Sequence, residues 1–196
     1  MTVFEAIAAR RTIRRFKQKR VPFGLLEKCV DAARLAPSAS NRQRLEYIIV
    51  NERSLTGKIF EAVSWAGHLR PAWVPAETER PAAYIVMVAD GPVKGDLAYD
   101  AGAAMQNILL TALEQGLGSC CLGSAKKAPV MRALAIPDTY SVALVIALGY
   151  PAESPRVDKF DGSIKYWRDE AGVLHVPKKS LAMVVHRGRW HKAADR

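Results

Sequence analysis

The chain has 196 residues, 49% hydrophobic and 24% charged, with a formal net charge of +10; this is ordinary for a soluble globular protein, enough for one domain with a substantial core, and excludes a disordered chain. No apolar run reaches the roughly 18–20 residues of a membrane span, and the N-terminus lacks the apolar region of a signal peptide, so a cytoplasmic protein without membrane contact is expected. The charge lies at the ends, with 11 Lys/Arg against 3 Asp/Glu over residues 1–44 and 6 against 1 over 175–196, which suits a local phosphate pocket as well as a nucleic-acid surface.

Thr2 and Glu5 form a capping box, which predicts a helix over residues 3–9 that buries Phe4 and Ile7. Then comes Arg10-Arg11-Thr12-Ile13-Arg14-Arg15-Phe16, with four guanidinium groups in six residues. Mutual repulsion disfavours that density unless an anion neutralises it, and an arginine fork matches two phosphate oxygens. Ile13 and Phe16 interleave with the charges and tie part of the segment to a core. On pattern alone, an anion site and a solvated basic arm both stay open.

Pro22 opens a second helix, with Leu25, Leu26, Cys29, Val30 and Ala33 at helical spacing, and Pro37 closes it. Pro37 to Gln43 is polar and reads on pattern as a surface turn. Leu45 to Asn51 is a strand, Ser54 caps a helix running to about Gly67, and 68–81 is a proline-rich loop with Trp65 and Trp73 nearby. Ala83 to Ala89 is a strand apolar enough to be buried on both faces. The longest helix spans about Leu97 to Gln115 and stops at Gly116, with small residues in its first turns and Asp100 and Gln106 interrupting its apolar surface. A strand from Gly118 runs into a glycine turn at Gly123, a helix covers about Pro129 to Ala135, and another strand runs from Val142 to Pro151. Residues 152–176 read as a long polar surface connection, and Leu181 to Trp190 as an apolar helical turn followed by the basic Arg187-Gly188-Arg189. Helices alternating with four apolar strands predict a single α+β domain over residues 1–196.

Cys29, Cys120 and Cys121 lack C-x-x-C spacing and read as reduced, buried thiols, and the four histidines lack ligand spacing, so no metal is expected. No nucleic-acid-binding motif is present, and nucleic acid is not expected as a partner.

Arg10-Arg11-Thr12-Ile13-Arg14-x-Phe16 after a short helix resembles the opening motif of the FMN-dependent nitroreductase family. Pro37-Ser38-Ala39-x-Asn41-x-Gln43 is similar to its second signature, Asp100-x-Gly102-x-x-x-Gln106-Asn107 to its central helix, and Leu148-Gly149-Tyr150-Pro151 to a strand ending typical of it. Arg44-Leu45 departs from the Pro-Trp that many relatives carry there. The resemblance implies an α+β fold with a central mixed, mainly antiparallel, four- to five-stranded sheet flanked by helices, and a homodimer with FMN at the interface. It implies that Arg10, Arg11, Thr12 and Arg14 hold the phosphate, ribityl chain and N1 side of FMN. Pro37, Ser38, Ala39, Asn41 and Gln43 would contact FMN from the partner subunit. A backbone N–H at Leu122 or Gly123 would meet flavin N5, and Arg187 and Arg189 would be the last phosphate ligands.

The implied activity is ping-pong hydride transfer from NAD(P)H to a nitroaromatic, quinone or related small acceptor. Catalysis would be carried by FMN, and Arg14 would be the cation beside N1 that stabilises the anionic reduced flavin. Other reduced-FMN chemistry (enone reduction, dehalogenation, flavin fragmentation), slow-turnover flavin storage and a non-catalytic basic binding module stay open. So does the question whether 68–81, with Trp73, or 152–176 covers the site.

Overall fold

A computed structural model describes residues 1–69 and 71–190. At its centre β1 (Leu45–Val50), β2 (Ala83–Asp90), β3 (Gly118–Leu122) and β4 (Tyr140–Gly149) form a four-stranded sheet in the order β1-β2-β4-β3, antiparallel at every step. The fold is α+β, as expected. Because side chains alternate along a strand, β2 serves two cores at once. Ala83, Ile85 and Met87, with Ile146 and Leu148 of β4, pack on α2 (Phe23–Arg34) and α4 (Asp96–Glu114). Tyr84, Val86 and Val88, with Val145 and Ala147, pack on the opposite face against α3 (Arg53–Glu61), α5 (Lys127–Ala133) and Trp65. Cys120 and Cys121 divide the same way, one in each core.

Several expectations need correction. The capping box forms at both bonds and starts α1 (Val3–Ala9), but only Ala6 is buried; Phe4 and Ile7 are 78% and 48% exposed. An amphipathic pattern in the sequence does not by itself tell whether the apolar face is buried within the same chain. The third helix starts from Glu52 rather than Ser54 and stops at Glu61, well short of Gly67. There the chain turns to bury Trp65 and Ala66, the latter at φ +43°. The fifth helix starts two residues earlier than expected and ends at Ala133, since Ala135 is left-handed at φ +51°.

The largest departure is residues 152–176. They hold most of a second sheet, β5 (Arg156–Lys159), β6 (Trp167–Arg168) and β7 (Leu174–Lys178), ordered β5-β7-β6 with β5 and β7 parallel. His175 is its hub. Nδ1 lies 2.8 Å from Asp158 Oδ2, Nε2 lies 3.0 Å from Asp169 Oδ2, and the ring stacks on Trp167 at 4.3 Å. Two carboxylates need two N–H donors, which only the imidazolium supplies. Asp169 holds the His175 pKa above its ordinary value, partial burial opposes this, and Asp158 adds to it; the same bond holds Asp169 below the usual carboxylate range.

The pH dependence follows from these directions. The His175 contribution is complete below its unfolded value of about 6.5 and fades as pH rises through the higher folded value. The Asp169 contribution fades as pH falls through its depressed one. An NMR titration of the His175 ring is expected to place its midpoint above the ordinary imidazole value; a midpoint at or below that value would show that the two carboxylates do not grip the cation.

Candidate functional site

The arginine segment is not a free arm. Thr12 makes a parallel bridge to Ser119 on the outer edge of β3, and the Ile13 N–H donates to the Ser119 carbonyl at 2.9 Å. Four residues on, Phe16 pairs with Pro151, the Phe16 N–H donates to the Glu79 carbonyl at 3.0 Å, and the Ala152 N–H donates to the Arg15 carbonyl at 2.9 Å. Ile13 and Phe16 are 7% and 0% exposed. Each sits directly on a glycine: a Cβ added at Gly118 would lie 2.7 Å from Ile13 Cγ1, and one added at Gly149 would lie 2.9 Å from Phe16 Cδ1.

This anchoring sorts the four arginines. Arg11 bonds back to the carbonyls of Ala8 and Arg10 at the end of α1, where a helix C-terminus favours a cation. Burial first, and then the Arg10 charge, lower the Arg11 pKa. Arg15 meets Glu79 at 3.4 Å and lies over the Trp73 ring. Among the described residues no carboxylate pairs with the guanidinium of Arg10 or Arg14. Glu153, its side chain 6% exposed, accepts from the backbone N–H groups of Arg14 and Arg15 instead and pairs with Arg168 at 2.8 Å. The Arg14 guanidinium is therefore held as a cation that no carboxylate of the described chain neutralises.

Arg14 opens into a cleft of about 250 Å³ at the end of β3, lined also by Trp65, Cys120, Leu122, Gly123 and Tyr166. Leu122 is buried and Gly123 exposed, with open space where a Cβ would stand. The Trp65 indole N–H is buried at this cleft without a partner among the described residues. Burial pushes the Cys120 and Cys121 thiols up to about 12 and 11, so neither is a nucleophile at neutral pH.

Arg10 and Arg11 line a second cleft of about 250 Å³ at the start of β3, with Ser119 and Glu153. The 37–43 loop lies elsewhere, against α2 and α4. Pro37, Ser38 and Gln43 share a small cavity with Asp100, while Ala39 faces a groove with Arg42, Arg44 and Asp100. The Ala39 N–H donates to the buried Asp100 carboxylate at 3.0 Å, and the Gln43 N–H donates to the Ser38 hydroxyl at 3.1 Å. These two ties hold Ser40, Asn41 and Gln43 at φ +51°, +53° and +48°, a costly conformation for residues with side chains. Arg187 and Arg189 are exposed beyond a single 3-10 turn, Leu181–Met183, and line none of these clefts. The chain thus brings Arg14, Leu122 and Gly123 together, sets Arg10, Arg11 and Thr12 along the same strand, and leaves the loop and the tail apart.

Sequence reasoning missed Glu153, Tyr166, His68 and the cleft role of Trp65. Glu153 stands two residues beyond the Leu-Gly-Tyr-Pro motif and was within reach of it. Tyr166 and His68 carried no periodic signal.

The profile of the Nitroreductase family matches residues 7–150. A Methanothermobacter thermautotrophicus protein provisionally named an NADH dehydrogenase/NAD(P)H nitroreductase is 34% identical, over 82% of this chain and 84% of its own. Among solved structures, a nitroreductase family protein from Clostridium novyi NT is 29% identical with a TM-score of 0.65, covering 79% of this chain and 87% of its own. A provisionally assigned nitroreductase from Desulfovibrio desulfuricans, solved with FMN, is 25% identical with a TM-score of 0.67, covering 83% and 93%.

Proposed function

This chain belongs to the nitroreductase family, and on that premise we propose that it is an FMN-dependent NAD(P)H oxidoreductase acting on nitroaromatic, quinone or related small acceptors. The observation that carries the proposal is the pair of uncompensated guanidinium groups, Arg10 and Arg14, fixed along one strand edge while their neighbours are already satisfied. Such a pair suits a ligand with a phosphate at one end and an electron-accepting ring at the other. The orphaned Trp65 N–H and the open space at Gly123 fit the same ligand.

When bound, FMN would supply the redox chemistry, accepting hydride from NAD(P)H and passing it to the acceptor in a ping-pong sequence. The protein has to bind, orient and polarise. Arg10 and Arg11, with Thr12 between the two clefts, hold the phosphate and ribityl end; Arg187 and Arg189, which line neither cleft within one chain, would join them from a second copy. Arg14 supplies positive charge to the N1 side, and the backbone at Leu122 or Gly123 faces N5. Pro37, Ser38, Ala39, Asn41 and Gln43 serve the site of a second copy. A dimer is supported by the apolar groups left uncovered on α1 and α4, namely Val3, Phe4, Ile7 and Tyr99. All of residues 1–196 act as one domain, in the cytoplasm; among the described residues no helix is long and apolar enough to cross a membrane.

Steady-state kinetics test the reading. With FMN-loaded protein, varying NADH or NADPH at several concentrations of a nitroaromatic or quinone is expected to give parallel double-reciprocal lines. Intersecting lines would discard the ping-pong order, and absence of turnover with either acceptor would discard the activity. Removing one charged hydrogen-bond donor costs about 1.5–3 kcal/mol, so Arg10→Ala is expected to raise the FMN Kd roughly ten- to a hundredfold. A fluorescence titration showing unchanged affinity would remove Arg10 from the phosphate end.

A further inference from the structure

Arg14 is gripped at two places. Its backbone N–H is held by Glu153, and its guanidinium lies 4.8 Å from the centre of the Tyr166 ring. Tyr166 is fixed in turn by His68, whose backbone N–H donates to the Tyr166 hydroxyl at 3.3 Å and whose ring stacks on the phenol at 4.9 Å. Arg14 and Tyr166 line one cleft, while Tyr166 itself lies beyond residue 150, where the family match ends.

The choice of support matters chemically. A free guanidinium on a flexible stem would turn out to water. A carboxylate would hold it but cancel its charge. An aromatic face attracts the cation through the ring quadrupole and adds no opposing charge, so the full positive charge stays directed into the cleft.

We propose that Tyr166 is a positioning residue that holds the Arg14 guanidinium in the cleft and through it sets the redox potential of the flavin bound there. The inference rests on the reading of this cleft as the FMN site. It also gives the segment after β4 a function, because one of its side chains reaches the reacting end of the site.

Redox titration of the FMN-loaded protein, with FMN affinity measured alongside, tests this in wild type, Arg14→Ala, Tyr166→Phe, Tyr166→Leu and the Arg14→Ala/Tyr166→Leu double variant. Arg14→Ala and Tyr166→Leu are each expected to shift the preference for reduced over oxidised FMN about tenfold downwards, a fall of about 30 mV for a two-electron couple. Tyr166→Phe keeps an aromatic face and is expected to keep the wild-type potential. The double variant falls no further than Arg14→Ala, because both changes act through one charge. If Tyr166→Leu does not fold, Tyr166→Gln, which retains an acceptor for the His68 N–H, is read the same way. An unchanged potential in the non-aromatic variant, or a double-variant fall equal to the sum of the singles, overturns the positioning role and leaves the cofactor reading standing. Arg14→Ala with an unchanged potential overturns the positioning role and removes Arg14 from the N1 side, whereas wild-type protein that does not bind FMN overturns the cofactor reading as well.

Discussion

Replacing Glu153 by alanine is expected to lower the melting temperature by roughly 6–20 °C, equivalent to about 3–5 kcal/mol for breaking a buried ion pair in a chain of this size. The carboxylate is nearly inaccessible and serves three donors from distant parts of the chain: the backbone N–H groups of Arg14 and Arg15, and the Arg168 guanidinium at 2.8 Å. Alanine strands all three at once. Arg168 is the costliest, since its side chain is only 12% exposed and would lose its carboxylate, keeping only the Gly172 carbonyl at 2.7 Å and the Trp73 ring beneath it. The change also unties the arginine segment from the second sheet, so FMN affinity falls with stability. Glu153→Gln is expected to recover part of the loss, because an amide oxygen still accepts from the two backbone donors. Thermal unfolding reads both variants; a shift of less than about 2 °C for Glu153→Ala, below 1 kcal/mol at this size, would show that the segment is held by something else.

Gly118→Ala is expected to cost about 1–3 kcal/mol, the range for forcing an extra methyl into a packed core. The new Cβ would lie 2.7–2.9 Å from Cγ1, Cβ and Cγ2 of Ile13, and a Cβ cannot swing aside as the tip of a long side chain can. Either Ile13 or the strand must move, and the bridge between Thr12 and Ser119 goes with it. The functional loss is therefore expected to exceed the loss of stability, with FMN affinity reduced more than the melting temperature suggests. Removing the opposing Cβ as well as the γ carbons provides the check: in the Gly118→Ala/Ile13→Gly double variant, the combined destabilisation is expected to be smaller than the sum of the single changes. Strict additivity in chemical denaturation would show that the two residues do not press on each other.

The parts of the fold legible in the sequence were those whose causes are local. The continuous apolar run of β2 announced a strand buried on both faces, and the Thr2/Glu5 spacing and Gly116 marked helix ends that the structure reproduces. Ile13 and Phe16 showed that the basic segment is tied down, though not that glycines 118 and 149 make room for them. What could not be read depends on long-range pairing. The second sheet has strands of two to five residues, too short for periodicity, and is assembled by His175 bonding carboxylates 17 and 6 residues away. Glu153 reaches Arg14 across 139 positions. The exposure of Phe4 and Ile7 is unreadable for another reason, since sequence amphipathicity is the same whether the covering surface is this chain or a second copy.

The central claim is that the edge of β3 and the arginine segment beside it form a flavin site reducible by a nicotinamide nucleotide. The most direct measurement is the anaerobic visible spectrum of protein incubated with FMN, freed of excess cofactor and titrated with NADH and then NADPH. Retained flavin bands that bleach with one of the nucleotides and return on adding a nitroaromatic or quinone are expected. Protein that emerges colourless from the incubation, or keeps its bands unchanged with both nucleotides, would contradict the claim.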